Sequence, residues 1–107
     1  MSSTPVTRVV LFNIPEKEDQ EKLFDFYRTL KQVALKDGKP YILSASAGST
    51  FNDPRNRGFT VAAVTKFSSE EDMKYYDDEC PSHAKLKEFA KSVRKEVLMA
   101  YFEDVLA

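Results

Sequence analysis

The chain has 107 residues, a mass of 12.2 kDa and a formal charge of −1. It therefore accommodates one domain, and its near-neutral charge argues against nucleic acid or an anionic membrane as the main partner. No apolar run approaches the roughly 20 residues of a membrane-spanning helix, and the first residues lack the pattern of a secretion signal. The single cysteine, Cys80, cannot form an internal disulfide. We expect a cytoplasmic protein without nucleic acid or membrane partners, with a flexible start over residues 1–6 and one domain over 7–107.

The first half of the chain predicts a strand, a helix and a second strand. Residues 7–12 are rich in β-branched and apolar side chains, which is typical of a strand. A helix is predicted over 16–35, because its apolar residues recur at intervals of three and four and form one stripe. The segment 36–40 contains glycine and proline and ends that helix. Residues 41–47 then predict a strand that precedes a long loop.

The second half of the chain predicts a strand, two helices and a last strand. Residues 58–67 alternate between two faces, as a strand does. Ser68 is expected to cap a short helix, because Glu71 stands where it completes a capping box. Ser82 is expected to cap the next helix, and residues 97–102 predict the closing strand.

The order β-α-β-β-α-α-β predicts an α+β fold of the ferredoxin-like type, with its second helical segment broken in two. The first, third and last strands are apolar on both faces; in the last strand, for example, Leu98 and Met99 are neighbours that point to opposite sides. Short helices cover only one face of such a sheet, and the other face would expose more apolar surface than monomers usually tolerate. We therefore expect a homodimer whose open sheet faces pack against each other.

Two short motifs connect these elements to a known family. The segment Arg57-Gly58-Phe59-Thr60 leads into the third strand, and Pro81-Ser82-His83 begins the last helix. With these motifs the chain resembles the stress-responsive dimeric A/B barrel (Dabb) domain over about 7–103. The resemblance implies a ferredoxin-like monomer that dimerises sheet to sheet into an α+β barrel with its helices outside. It implies either a stress-associated protein or a relative of the plant polyketide cyclases, which close a linear polyketide by an aldol condensation without a cofactor.

The resemblance to the cyclases implies a catalytic role for His83 and Tyr76. In those enzymes the histidine of the Pro-x-His segment is the general base, and His83 is the only histidine of this chain. An ordinary histidine pKa near 6.5 suits a base at neutral pH. The cyclases carry a tyrosine six positions before this histidine, where this chain has Asp77. Either Tyr76 assists because one extra residue bulges out of the loop, or Asp77 orients the imidazole.

Five further residues are expected to bind the substrate. Tyr27 matches a tyrosine that lines the cyclase pocket, and Phe24 lies three residues before it. The other three stand where the cyclases carry polar pocket residues. Arg8 replaces a histidine of the first strand, Val61 replaces a histidine of the third, and Tyr101 replaces an acidic residue of the last. These replacements imply a different substrate, and Arg8 suits a carboxylate or an anionic ring oxygen.

No metal or organic cofactor is expected, because one histidine and one cysteine cannot supply a transition-metal site without several carboxylates. The sequence indicates a homodimer that binds a small apolar or aromatic molecule and, if it is an enzyme, uses His83 as a general acid/base of the polyketide cyclase type. The alternative is a non-enzymatic, stress-associated structural protein whose core is filled by side chains. An open cavity of about 300 Å³ bounded by Tyr27, Tyr76, Val61 and His83 would favour a ligand.

Overall fold

In the computed structural model, which describes residues 4–106, helices cover one face of a four-stranded antiparallel sheet. Residues 1–3, part of the expected flexible start, lie outside the described range, and Val6 already belongs to the first strand. The elements in chain order are β1 (Val6–Asn13), α1 (Lys17–Val33), β2 (Leu35–Lys36), β3 (Lys39–Pro40), β4 (Ile42–Ser49), a short 3₁₀ turn (Pro54–Asn56), β5 (Val61–Phe67), α2 (Glu70–Asp78), α3 (Pro81–Val93) and β6 (Glu96–Glu103).

The strands of the sheet lie in the order β4-β5-β1-β6, and every neighbouring pair is antiparallel. Helix α1 and the short strands β2 and β3 connect β1 to β4. Helices α2 and α3 connect β5 to β6. This is the ferredoxin-like α+β topology that the sequence predicts, so the fold class is confirmed. In the part of the chain that the structure describes, no helix has the length and apolar character needed to cross a membrane.

Successive side chains of the central strands β1 and β5 point to opposite faces of the sheet, and this alternation determines which of them lie in the core. Val10 of β1 and Ala63 of β5 are register partners, and both are buried on the side that carries the helices. Val9 and Val64, also register partners, point to the opposite face and stay partly exposed. The core therefore lies between the helices and one face of the sheet.

The cap of α2 differs from the sequence prediction by one residue. Ser69, and not Ser68, is the cap: its Oγ accepts a hydrogen bond from the backbone N–H of Asp72. The Ser68 hydroxyl instead donates to the Asp72 carboxylate. The predicted capping box of Ser68 and Glu71 is therefore wrong, because two adjacent serines offer the same chemistry and Ser69 has the extended backbone that a cap requires.

The start of α3 also differs from the prediction. Cys80 occupies the cap position, and Pro81 occupies the first helical position, where its missing N–H costs no hydrogen bond. The Ser82 hydroxyl donates instead to the carbonyl of Val33 at the end of α1, 3.1 Å away. The prediction of Ser82 as the cap is therefore wrong, because the proline sets the start of the helix before Ser82 is reached.

The segment after α1 forms a small hairpin rather than a simple helix stop. Strands β2 and β3 pair with each other, and Asp37 and Gly38 between them have φ values of 52° and 76°. Two consecutive residues with positive φ are typical of the type I′ turn, for which Asp-Gly is a preferred sequence. Lys36 of this hairpin pairs with Asp72 of α2 at 2.7 Å, which attaches the hairpin to the helix layer.

The face of the sheet away from the helices is apolar and partly exposed. Its centre is formed by Val9, Leu11 and Val64, and Leu98 and Phe102 of β6 are each 49% exposed beside them. Exposed apolar patches of this kind are typical of interaction surfaces. We call this surface the open face.

Candidate functional site

Arg8 and His83 lie on the helix side of the sheet, where β1, α2 and α3 meet. Arg8 extends from β1 and is 6% exposed. Its Nη2 lies 2.9 Å from Oδ1 of Asp77 in α2, and its guanidinium lies 5.3 Å from the ring centre of Tyr76. An ion pair this buried needs both partners, because either charge alone would be poorly solvated. The pair therefore fixes the position of Arg8 beneath the helices.

His83, in the first turn of α3, is held by Tyr76 rather than by Asp77. The two aromatic rings stack with their centres 3.6 Å apart and an angle of 11° between their planes. Nδ1 of His83 lies 2.8 Å from the backbone carbonyl of Tyr76 but 3.7 Å from Oδ1 of Asp77. A carbonyl only accepts, so Nδ1 carries the proton in this bond and Nε2 keeps its lone pair. Both Tyr76 and Asp77 lie inside α2, so neither bulges from a loop.

The imidazole of His83 is neutral at ordinary pH. The residue is 1% exposed, and this burial is the main cause that lowers its pKa from 6.5 to about 3. The hydrogen bond to the Tyr76 carbonyl raises the pKa and opposes burial in part, whereas the positive charges of Arg8 and Lys87 lower it further. The unprotonated form, the one that accepts a proton, is therefore present over the whole physiological range.

Three buried polar groups on the helix side of the sheet have no hydrogen-bond partner in the described residues: Nε of Arg8 and the hydroxyls of Tyr27 and Tyr76. Burial raises the pKa of Tyr27 to about 12, against the opposing charge of Arg8. Burial also raises the pKa of Tyr76, and the neighbouring Tyr27 adds to that shift. Buried polar groups are nearly always hydrogen-bonded, so each of these three groups is suited to an oxygen atom of a ligand or of water.

Two clefts open at opposite edges of the sheet. The cleft between α1 and β4, here the α1 cleft, has a volume of about 510 Å³, and its lining includes Phe24, Tyr27, Arg28, Ala45 and Ala47. The cleft between α3 and strands β1 and β6, here the α3 cleft, has a volume of about 260 Å³, and its lining includes Arg8, His83, Lys87, Lys91, Arg94 and Met99. Each cleft is lined by residues of an edge strand of the sheet, β4 for the α1 cleft and β6 for the α3 cleft.

The predicted site residues are divided between these clefts. Tyr27 and Phe24 line the α1 cleft, and His83 and Arg8 line the α3 cleft. Tyr76 belongs to neither lining and is fully buried, with its ring packed on that of His83. These residues therefore do not bound one shared cavity.

Two predicted substrate-binding residues lie away from both clefts. Val61 is fully buried in the core, because the helix-facing side of β5 is covered. The Tyr101 hydroxyl lies 3.4 Å from the Glu70 carboxylate near the start of α2, although its backbone pairs with that of Arg8. Val61 and Tyr101 therefore line neither cleft, since one fills the core and the other points to the start of α2, and their role in ligand binding stays a prediction.

The sequence interpretation missed the basic side chains of α3. Lys87, Lys91 and Arg94 follow one another at intervals of four and three residues and all line the α3 cleft. That spacing places side chains on one face of a helix and was visible in the sequence. Their relation to Arg8 was not visible, because it depends on how α3 crosses β1.

Comparison with known proteins connects this arrangement to a family. The family model of the stress responsive A/B barrel domain matches residues 6–104. The chain belongs to the stress responsive A/B barrel family. The resemblance inferred from the sequence motifs is therefore confirmed. A protein of the fusaristatin A biosynthesis cluster of Gibberella zeae is 38% identical over 97 residues, which are 91% of this chain and 70% of that protein.

Solved structures of the same fold include an enzyme and a dimer. The hydroxynitrile lyase of Passiflora edulis has a TM-score of 0.79 and 14% identity, over 97% of this chain and 96% of the lyase. A dimeric ferredoxin-like protein of unknown function from Thermobifida fusca also has a TM-score of 0.79 and 14% identity, over 95% of this chain and 92% of that one. At these identities the likeness establishes the fold of this A/B barrel protein.

Proposed function

We propose that this A/B barrel protein is a homodimer that binds a small apolar or aromatic molecule and acts on it by acid/base chemistry, as the cofactor-independent polyketide cyclases do. The observation that carries the proposal is the state of His83. Its ring is neutral, its Nδ1 is engaged by the Tyr76 carbonyl, and it lines the α3 cleft beside the unpartnered Nε of Arg8. The likeness to a biosynthesis cluster protein supports a role in small-molecule metabolism.

The open face supports the dimer. Five apolar side chains of β1, β5 and β6 lie together there, and a second copy presents the same surface by symmetry. A structure of the same fold is described as dimeric. Pairing two open faces removes both from water, which is the main favourable contribution to association.

Proton transfer is the step that this geometry supports. Nε2 of His83 would take a proton from an acidic carbon of the ligand, and the electron pair of the broken C–H bond would move onto the adjoining carbonyl oxygen. Nε of Arg8 donates a hydrogen bond to that oxygen, a contribution that grows as negative charge develops. A base of pKa about 3 is weak, but an oxyanion beside the imidazole favours its protonated form and raises that pKa during the step.

Hydrogen–deuterium exchange at the acidic carbon of 1-phenylbutane-1,3-dione, followed by NMR in deuterated buffer, tests this step without knowledge of the natural substrate. The wild type should exceed the buffer rate, and His83→Ala should lose about 10²- to 10⁴-fold of that excess. Lys85→Ala, an exposed change on the same helix, is the matched control and should keep the full rate. An unchanged rate in a folded His83→Ala dimer would contradict the proposal.

One observation favours the alternative, a structural protein without catalysis. Tyr76 and Val61 are both fully buried, so side chains fill the space that we expected to be open. Under this alternative the wild type does not exceed the buffer rate of exchange. His83→Ala would then lower the free energy of unfolding by removing the stacked ring from Tyr76.

A further inference from the structure

The α3 cleft gathers four basic side chains in a protein whose formal charge is −1. Arg8 comes from β1, and Lys87, Lys91 and Arg94 come from one face of α3 and its end. No carboxylate is among the described residues that line this cleft. Low-dielectric walls strengthen a field of one sign, so the cleft attracts anions.

The protein itself leaves much of this positive charge unpaired. Nε of Arg8 is buried without a partner, although the same guanidinium pairs with Asp77 through Nη2. The Lys87 ammonium donates to the backbone carbonyl of Asp77, which carries no net charge. Among residues 4–106, no carboxylate forms an ion pair with Lys91 or Arg94.

The floor of the same cleft is apolar. Val10 and Phe12 of β1 and Val97 and Met99 of β6 line it. Val97 and Met99 are each 42% exposed, because β6 is an edge strand that α3 leaves partly uncovered. The volume of about 260 Å³ lies just below the usual range for small-ligand sites, so the cleft fits a ring or short chain rather than a long lipid.

The α1 cleft offers an anion much less. Its Arg28 is neutralised by Asp25, at 2.5 Å, and by Glu21, at 3.3 Å. Glu21 also lines that cleft and adds negative charge. Lys31 of the α1 cleft forms no ion pair among the described residues, so this cleft offers one unpaired positive charge next to a carboxylate, whereas the α3 cleft offers Lys91 and Arg94 with no carboxylate in its lining.

We propose that the α3 cleft selects a small organic acid, whose carboxylate is bound by Lys91 and Arg94 and whose apolar part lies on β1 and β6. Arg8 then remains for a second ligand oxygen beside His83. This names the ligand class of the proposed function and rests on its ligand site, but it does not depend on proton transfer by His83.

Calorimetric titration with 4-butylbenzoate and with its neutral counterpart, 4-butylbenzamide, tests the selection on the intact protein. The carboxylate should bind about tenfold more tightly, and the difference should shrink at high salt. The double variant Lys91→Gln/Arg94→Gln should lose about tenfold in affinity for the carboxylate while its affinity for the amide stays unchanged. The matched control is Arg28→Gln/Lys31→Gln in the α1 cleft, which should leave both affinities unchanged.

Three outcomes would overturn the proposal. They are equal affinity for the acid and the amide, a loss of acid binding in the α1 cleft variant instead, and binding of inorganic phosphate as tightly as 4-butylbenzoate. Phosphate binding of equal strength would mean that the apolar floor contributes nothing to the binding of the acid. The two proposals are tested separately, because 4-butylbenzoate carries no C–H next to a carbonyl and its binding is measured whether or not the protein accelerates exchange.

Discussion

The burial of His83 as a neutral ring predicts a specific loss of stability in acid. Its pKa is about 3 in the folded protein and about 6.5 in an unfolded chain. Between these values the unfolded chain binds a proton that the folded chain does not, so the free energy of unfolding falls as the pH is lowered. The charged groups that face the ring are Arg8 from β1, Asp77 from α2 and Lys87 from α3.

The size of the effect follows from the two pKa values. Each pH unit between them is worth about 1.4 kcal/mol. Lowering the pH from about 7.5 to about 4.5 should therefore cost about 2.7 kcal/mol through His83 alone. Carboxylates titrate over part of the same range, so the contribution of His83 must be isolated by subtraction. His83→Asn serves this purpose, because its side-chain amide can still donate to the Tyr76 carbonyl but does not titrate.

Urea unfolding of the wild type and of His83→Asn, at one fixed protein concentration and at several pH values, measures the difference. The wild type should lose about 2.7 kcal/mol more than the variant between about pH 7.5 and about pH 4.5. Fixed concentration matters because dimerisation contributes to the stability of the folded state. If the two proteins lose stability in parallel, His83 titrates normally in the folded state, and the lowering of its pKa by burial is wrong.

Three further predictions concern assembly, packing and metals. Light scattering at micromolar concentration should give twice the 12.2 kDa mass of the chain, and a stable folded monomer would contradict the dimer. The dimer interface should bury at least about 800 Å² on each partner. Tyr76→Phe should raise the free energy of unfolding by about 1 kcal/mol, because it removes a buried hydroxyl without a partner, whereas a loss would mean that the hydroxyl is bonded. Chelation with EDTA should leave the melting temperature unchanged, and loss of the cooperative transition would reveal a structural metal.

The fold could be predicted because local periodicity and tertiary burial agree. The two-residue alternation of β5 and the three-and-four spacing of α1 each specify one buried face, and the structure buries those faces. The helix caps could not be placed to the residue. Ser68 and Ser69 have the same chemistry, and only the path of the chain after β5 selects Ser69.

The site could be predicted only in part, because a sequence does not say whether a side chain lines a space or fills it. His83 and Arg8 line the same cleft. The rings of Tyr76 and His83, however, stack directly on each other and leave no space for a ligand between the two rings. Burial also changes the chemistry of the histidine: the residue type suggests a pKa near 6.5, whereas its surroundings lower that pKa to about 3. The closed space and the lowered pKa both depend on how several side chains pack together, which the type of a single residue does not determine.

The small side chains of β4 line a cleft, whereas larger side chains fill the core. Ala45 and Ala47 form part of the floor of the α1 cleft at a sheet edge. The rings of Phe67 and Tyr76, by contrast, pack against each other in the interior. Because Ala47 is exposed, a larger side chain there would reshape the cleft without removing a buried contact. The fold itself tolerates extensive change of side chains, since the hydroxynitrile lyase shares it at a TM-score of 0.79 with 14% identity.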